Sequence, residues 1–184
     1  MKSLIVSLLI ICTAAGLQAQ APGVSIPVNL EIGLGGGASL PMGTLSDAVN
    51  TGWNAGAKAR ISGLLPFNLV ASAMYNRLPF KAGSESSTEW MIGAGVEFKL
   101  PSPVVTPYVG VDGLVNLMSS TAANAQSTTR EGLGIGGGAV VSVPFLGSVD
   151  GSVKYQMFNI AGKETGEDTY SQVAVTLMLV FGVL

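Results

Sequence analysis

Residues Leu30 to Pro41 read LEIGLGGGASLP, and two folds compete for them. Gly33-Leu34-Gly35-Gly36-Gly37-Ala38 fits G-x-G-x-x-G/A, the pattern in which a strand turns into a helix beneath a dinucleotide pyrophosphate. That reading needs a helix opening at the glycines and an acidic residue about 20 positions on. Instead Pro41 and a loop-like PMGTLSDAVNT follow. The other reading takes the residues two at a time. Val28, Leu30, Ile32, Leu34, Ala38 and Leu40 are apolar, while Asn29, Glu31, Gly33, Gly35, Gly37 and Ser39 are polar or lack a side chain. Period two over that length marks a strand with one apolar and one polar face. The glycines then serve packing, leaving room on the inner wall of a small barrel where large side chains from opposite strands would collide.

The alternation recurs along the chain. Trp53, Ala55, Ala57, Ala59 and Ile61 alternate with Asn54, Gly56, Lys58, Arg60 and Ser62. Phe67 to Asn76, Trp90 to Lys99, Tyr108 to Leu117, Leu133 to Phe145 and Val149 to Met157 behave alike, the sixth with a glycine-rich polar face. A last segment, about Thr169 to Leu184, is apolar on both faces near its end, so the pattern leaves its register open. Eight strands result.

Composition fixes where such strands can live. Met1-Lys2-Ser3, the apolar run Leu4 to Cys12 and the small, polar stretch Ala14 to Ala21 are the three zones of a secretory leader, expected to be cut after Ala19. The mature chain, 20–184, is then the size of one domain, and no further domain is expected after it. Mean hydropathy is +0.50, and 11% of residues are charged. Beyond the leader no run of 18 apolar residues supplies a spanning helix. Apolar residues at every second position of a closed β-barrel reconcile these facts. Of 9 Lys and Arg, Lys2 leaves with the leader, against 11 Asp and Glu; this mildly acidic balance gives nucleic acid no footprint.

The connections expected to be long and polar (41 to 51, 77 to 87, 118 to 131 and 159 to 168) alternate with short turns at Pro66-Phe67-Asn68, Pro101-Ser102-Pro103 and Leu146-Gly147-Ser148. Long loops outside, short turns inside and periplasmic termini are the arrangement of bacterial outer-membrane barrels. Aromatic residues are expected at both membrane interfaces: Phe67, Phe98, Phe145 and Phe181 near the short turns, and Trp53, Tyr75, Trp90, Phe158 and Tyr170 near the long loops.

The leader, the opening GLGGGASLPMGTLSDAVNTGWNAGAKARI and the eight-strand rhythm resemble the small outer-membrane β-barrel proteins related to the OmpA and OmpX barrels. The resemblance implies an all-β, eight-stranded antiparallel up-and-down transmembrane barrel in the bacterial outer membrane. It also implies insertion by the barrel assembly machinery and contact with outer-membrane lipid. Many such proteins end in Phe, whereas this chain ends Phe181-Gly182-Val183-Leu184.

Function classes narrow by subtraction. The only cysteine, Cys12, lies in the leader behind Ile11, a poor lipoprotein context, and there is no histidine. Ser-His and Cys-His catalysis and most zinc or haem ligation lose their participants. Neither enzyme nor cofactor is expected. In KETGED, Glu164, Glu167 and Asp168 lack the ordered spacing of a calcium loop and read as solvated charges. What remains is a structural or surface-display protein whose loops could meet an extracellular ligand, with a narrow diffusion pore or a soluble periplasmic lipid-binding barrel as alternatives. The alternation sends Glu31, Glu97, Asp112 and Asp150 inward with Lys58, Arg60, Lys99 and Lys154, a balanced set expected to pair and plug the lumen, with Glu31 near Lys58 or Arg60 and roughly opposite residue 61.

Overall fold

The computed structural model describes residues 28–63, 66–100, 102, 104–121, 126–144, 147–163 and 166–183. The expected leader, 1–19, lies outside them, as do Phe145, Glu164 and the chain end at Leu184. Eight strands follow in order: β1 (Asn29–Met42), β2 (Gly52–Ser62), β3 (Asn68–Pro79), β4 (Ser86–Lys99), β5 (Val105–Ser120), β6 (Thr128–Val143), β7 (Gly147–Ala161) and β8 (Ser171–Gly182). They form one closed barrel in which each strand pairs antiparallel with the next and β8 returns to β1. Closure leaves no free sheet edge. Among the described residues no helix is long and apolar enough to cross a membrane, which says nothing of crossing by strands.

The period-two pattern sorts the side chains onto two walls. On the outer wall Leu34 is 55% exposed, Val109 61% and Leu177 62%, while the lumen-facing Arg60 is 1% exposed. The barrel is apolar outside and charged inside, the reverse of a soluble domain. β1 lies with Glu31 opposite Arg60 and Leu30 opposite Ile61, one residue from the expected register. β8, whose sequence left the matter open, turns Val175, Leu177, Leu179 and Phe181 outward and buries Ala174, Thr176, Met178 and Val180.

The glycines of the opening stretch sit where backbones crowd. A methyl group on Gly35 would fall 2.0 Å from the Leu177 carbonyl oxygen, and one on Gly37 would fall 2.0 Å from that of Val175. The constraint comes from the backbone of the closing strand β8, more than from side chains across the lumen.

Two expectations about the connections need correction. PMGTLSDAVNT is not plain loop: it holds a short helix, α1 (Leu45–Ala48), and turns Leu45 and Val49 into the barrel mouth. The strands also run further than expected at that end, to Pro79 and Ser120, and from Ser86 and Thr128, while β7 reaches Ala161. Ser and Thr at strand ends keep their ladder bonds because pairing engages the backbone, which polar side chains leave free. The connections there shrink to 43–51, 80–85, 121–127 and 162–170.

Candidate functional site

The lumen gathers the chain's buried polar chemistry and is filled in tiers. Nearest the short turns, Arg60 of β2 is the hub. Its Nη1 donates to Glu31 Oε2 of β1 at 2.8 Å, its Nε to Glu97 Oε2 of β4 at 2.7 Å and its Nη2 to Asp150 Oδ2 of β7 at 3.0 Å. Lys58, two residues back on the same face of β2, donates to Asp150 Oδ2, to Glu97 Oε1 at 3.5 Å and to the Tyr108 hydroxyl oxygen at 3.1 Å. The Tyr108 hydroxyl donates in turn to Asp150 Oδ1 at 2.6 Å. The Tyr108 ring also carries both cations on its face, Lys58 Nζ 5.0 Å and Arg60 Cζ 5.1 Å from the centroid. Lys99 completes the outer side of the cluster, donating to Glu31 Oε2 at 3.2 Å. Lys154 and Asp112 form a separate pair across β7 and β5 at 2.6 Å.

All eight charges assigned inward by alternation therefore lie in the lumen, in one cluster of six and one pair. The reason is local and simple. Lys58 and Arg60 are two apart on β2, as Glu97 and Lys99 are on β4, so each strand presents two charges to one face. Burial without partners would cost each several kcal/mol, and the pairing with multiple hydrogen bonds offsets that cost.

Above the charges lies a neutral polar tier. Ser39 Oγ donates to Asn76 Oδ1 at 2.9 Å, Asn54 Nδ2 to Ser39 Oγ at 3.1 Å, and Gln172 Nε2 to Gln156 Oε1 at 2.9 Å. Between the tiers a cavity of about 40 Å³ is lined by Asn54, Lys58, Asn76, Asp112, Lys154 and Gln156 among others. That is room for about three waters, with polar partners on part of the wall and Met74, Met91, Ala174 and Met178 on the rest. At the long-loop end the filling changes to hydrocarbon: Leu45, Val49, Leu78, Met91, Leu114 and Phe158 form one buried cluster, with Met74, Phe80, Met118 and Tyr170 packed against it. The connection 43–51 is fixed over this cork by Asn50 N donating to Pro79 O at 2.8 Å and by Lys81 N donating to Ala48 O at 3.0 Å.

The aromatic residues divide. Trp53, Trp90, Phe98 and Phe181 stand exposed on the outer wall, Tyr75 is half-buried between the two tryptophans, and Phe67 is half-exposed just before β3. Phe145 lies outside the described residues. Phe158 and Tyr170 correct the expected interface ring. Phe158 has the parity of Gln156, so nearness to a loop does not keep it outside; it is 1% exposed at the centre of the cork, and Tyr170 leans on the same cluster.

Alternation had placed Tyr108 inward without giving it a role; its position opposite Lys99 was the available signal. The apolar alternation starts only at Trp90 and so gives no signal for Glu89, which the longer strand β4 carries inward. Glu89 is 3% exposed in the lumen, accepts from Asn76 Nδ2 at 3.4 Å and leaves Oε1 without a partner among the described residues. In the connection before β8, Glu167 takes an ion pair from Arg130 at 3.2 Å and a hydrogen bond from Asn159 at 2.9 Å. Among the described residues no cluster of His, Cys, Asp or Glu forms a metal site.

Together the closed strand order and the filled lumen define a small eight-stranded up-and-down barrel. No protein-family model and no curated protein matches the sequence. Solved structures match in shape. Neisserial surface protein A is similar with a TM-score of 0.59 at 18% identity, over 83% of this chain and 94% of that one. A major outer membrane protein from Thermus thermophilus is similar with a TM-score of 0.52 at 15% identity, over 84% of this chain and 100% of that one. At such identities the likeness shows the fold, a barrel of the kind outer-membrane proteins use.

Proposed function

We propose that this chain is an integral outer-membrane protein of a Gram-negative bacterium, related to the OmpA and OmpX barrels. It is exported by its leader, inserted by the barrel assembly machinery, and serves as a non-enzymatic structural and surface-display element. The observation that carries the reading is the inverted wall: aliphatic side chains such as Leu34, Val109 and Leu177 more than half exposed outside, and an ion cluster buried inside. Water would expel such a surface, and a bilayer solvates it. The connections 43–51, 80–85, 121–127 and 162–170 are then extracellular, and any ligand of the cell surface meets them.

The lumen supports a closed barrel over a diffusion pore. The ionic tier blocks one half and the apolar cork the other, so a solute would have to break both. Two measurements test this. Folded protein in SDS should migrate differently before and after boiling; identical mobility would overturn the membrane reading in favour of a soluble lipid-binding barrel. In planar bilayers most inserted molecules should pass no steady current, and long-lived conductance from most of them would establish the pore instead.

A further inference from the structure

Charges on the outer wall are scarce and unevenly placed. Of the charged residues in the described strands, Arg77 on β3 and Glu131 on β6 share the outward parity of their apolar neighbours. Arg77 is exposed and stands opposite Trp53 on one side and Thr88 on the other. Its Nε donates to Ser86 Oγ at 3.3 Å, and among the described residues no carboxylate pairs with the guanidinium. Directly below it on the same face, Tyr75 is wedged between Trp53 and Trp90, with ring centroids 5.5 and 5.3 Å apart. Exposed Lys81 and Glu85, in the connection above, carry opposite charges, and exposed Asp47 lies next to Ala48, whose carbonyl accepts from Lys81 N. The β6 side differs: Glu131 lies among Thr129, Leu133 and Val115, with no aromatic neighbour there.

We propose that Arg77 and the ledge formed by Trp53, Tyr75 and Trp90 seat the phosphate headgroup of an anionic lipid in the surrounding leaflet. This rests on the outer-membrane reading. Trp and Tyr settle where hydrocarbon meets headgroups, apolar rings inward and polar edges outward. Two residues further along the tilted strand, about 5 Å up, Arg77 reaches the height of the phosphates. There its planar fork can take two phosphate oxygens, and the Thr88 hydroxyl beside it adds a donor. Glu131 makes the opposite wall repel the same headgroup, so the seat is confined to β2, β3 and β4.

The chain's only two tryptophans, Trp53 and Trp90, both lie in the seat and report on it directly. The experiment measures quenching of their fluorescence in phosphatidylcholine vesicles doped with dibrominated phosphatidylglycerol or dibrominated phosphatidylcholine. The anionic lipid should be preferred about five-fold, the factor expected for one cation near a charged surface. Arg77→Gln should bring the two lipids to parity and Arg77→Glu should reverse the order, both variants keeping the heat-dependent gel shift, while Glu131→Gln should preserve the preference. Parity in the wild type, or a preference surviving Arg77→Gln, would overturn the seat alone. Loss of the preference in excess inorganic phosphate would convert it to a free-anion site and overturn the lipid assignment. Absence of quenching by either lipid would overturn the outer-membrane reading and this one with it.

Discussion

The two halves of the lumen close the same opening with opposite chemistry. Near the short turns, Glu31, Lys58, Arg60, Glu97, Lys99 and Asp150 fill the space as a hydrogen-bonded salt. Near the long loops, Leu45, Val49, Leu78, Met91, Leu114 and Phe158 fill it as hydrocarbon. The difference teaches how each half fails. A salt loses most when one partner leaves, because the remaining charge stays buried. A hydrocarbon core loses in proportion to the volume removed, and its neighbours can partly collapse.

The largest effect should come from Arg60→Ala, which deprives Glu31, Glu97 and Asp150 of a shared partner at once. We expect a loss of about 3–5 kcal/mol in urea unfolding from lipid vesicles, followed by tryptophan fluorescence. Glu31→Ala, whose carboxylate is 27% exposed, should lose less, about 1–2 kcal/mol. A loss below about 0.5 kcal/mol for Arg60→Ala would mean that the tier is hydrated like a surface.

Phe158→Ala probes the other half by removing the largest side chain of the cork. The expected loss is about 3 kcal/mol, at the low end for a buried Phe because Met74 and Met118 can shift into the gap. Bilayer current should remain absent, since the ionic tier still blocks the path; current in this variant would assign the whole seal to the cork. The smallest effect should come from replacing the separate pair together. Asp112→Leu with Lys154→Met removes both charges, and stability should move by no more than about 1 kcal/mol, whereas either change alone should cost more. A double loss equal to the sum of the two single losses would show that the two do not act as a pair.

The ionic half was legible in the sequence because parity alone assigns a face to every residue of a strand. Glu31, Lys58 and Arg60 needed no knowledge of the turns beyond a register good to one residue. The apolar half was hidden for two physical reasons. Leu45 and Val49 lie in a connection, where no period exists to read, and that connection is held through Ala48 and Asn50 by bonds to Lys81 and Pro79 far along the chain. Phe158 is inward by parity despite its nearness to a loop, because in a strand the face is set by the count. Arg77 and Glu89 escaped because the readable alternation ends at Asn76 and resumes only at Trp90, while the ladder runs on to Pro79 in β3 and starts from Ser86 in β4. β8 is the converse case: apolar on both faces, it takes its register from the partners β1 and β7.

The ion cluster also orders events in time. Lys58 and Asp150 are 92 positions apart, and the cluster spans β1, β2, β4 and β7, so no partial hairpin can assemble it. It can form only once most of the wall has curled round. Contacts of this kind are absent from an early folding nucleus and act mainly on the rate of escape from the finished state. Its energy therefore serves as a latch: the chain gains little speed in reaching the barrel, and the finished barrel is slow to reopen.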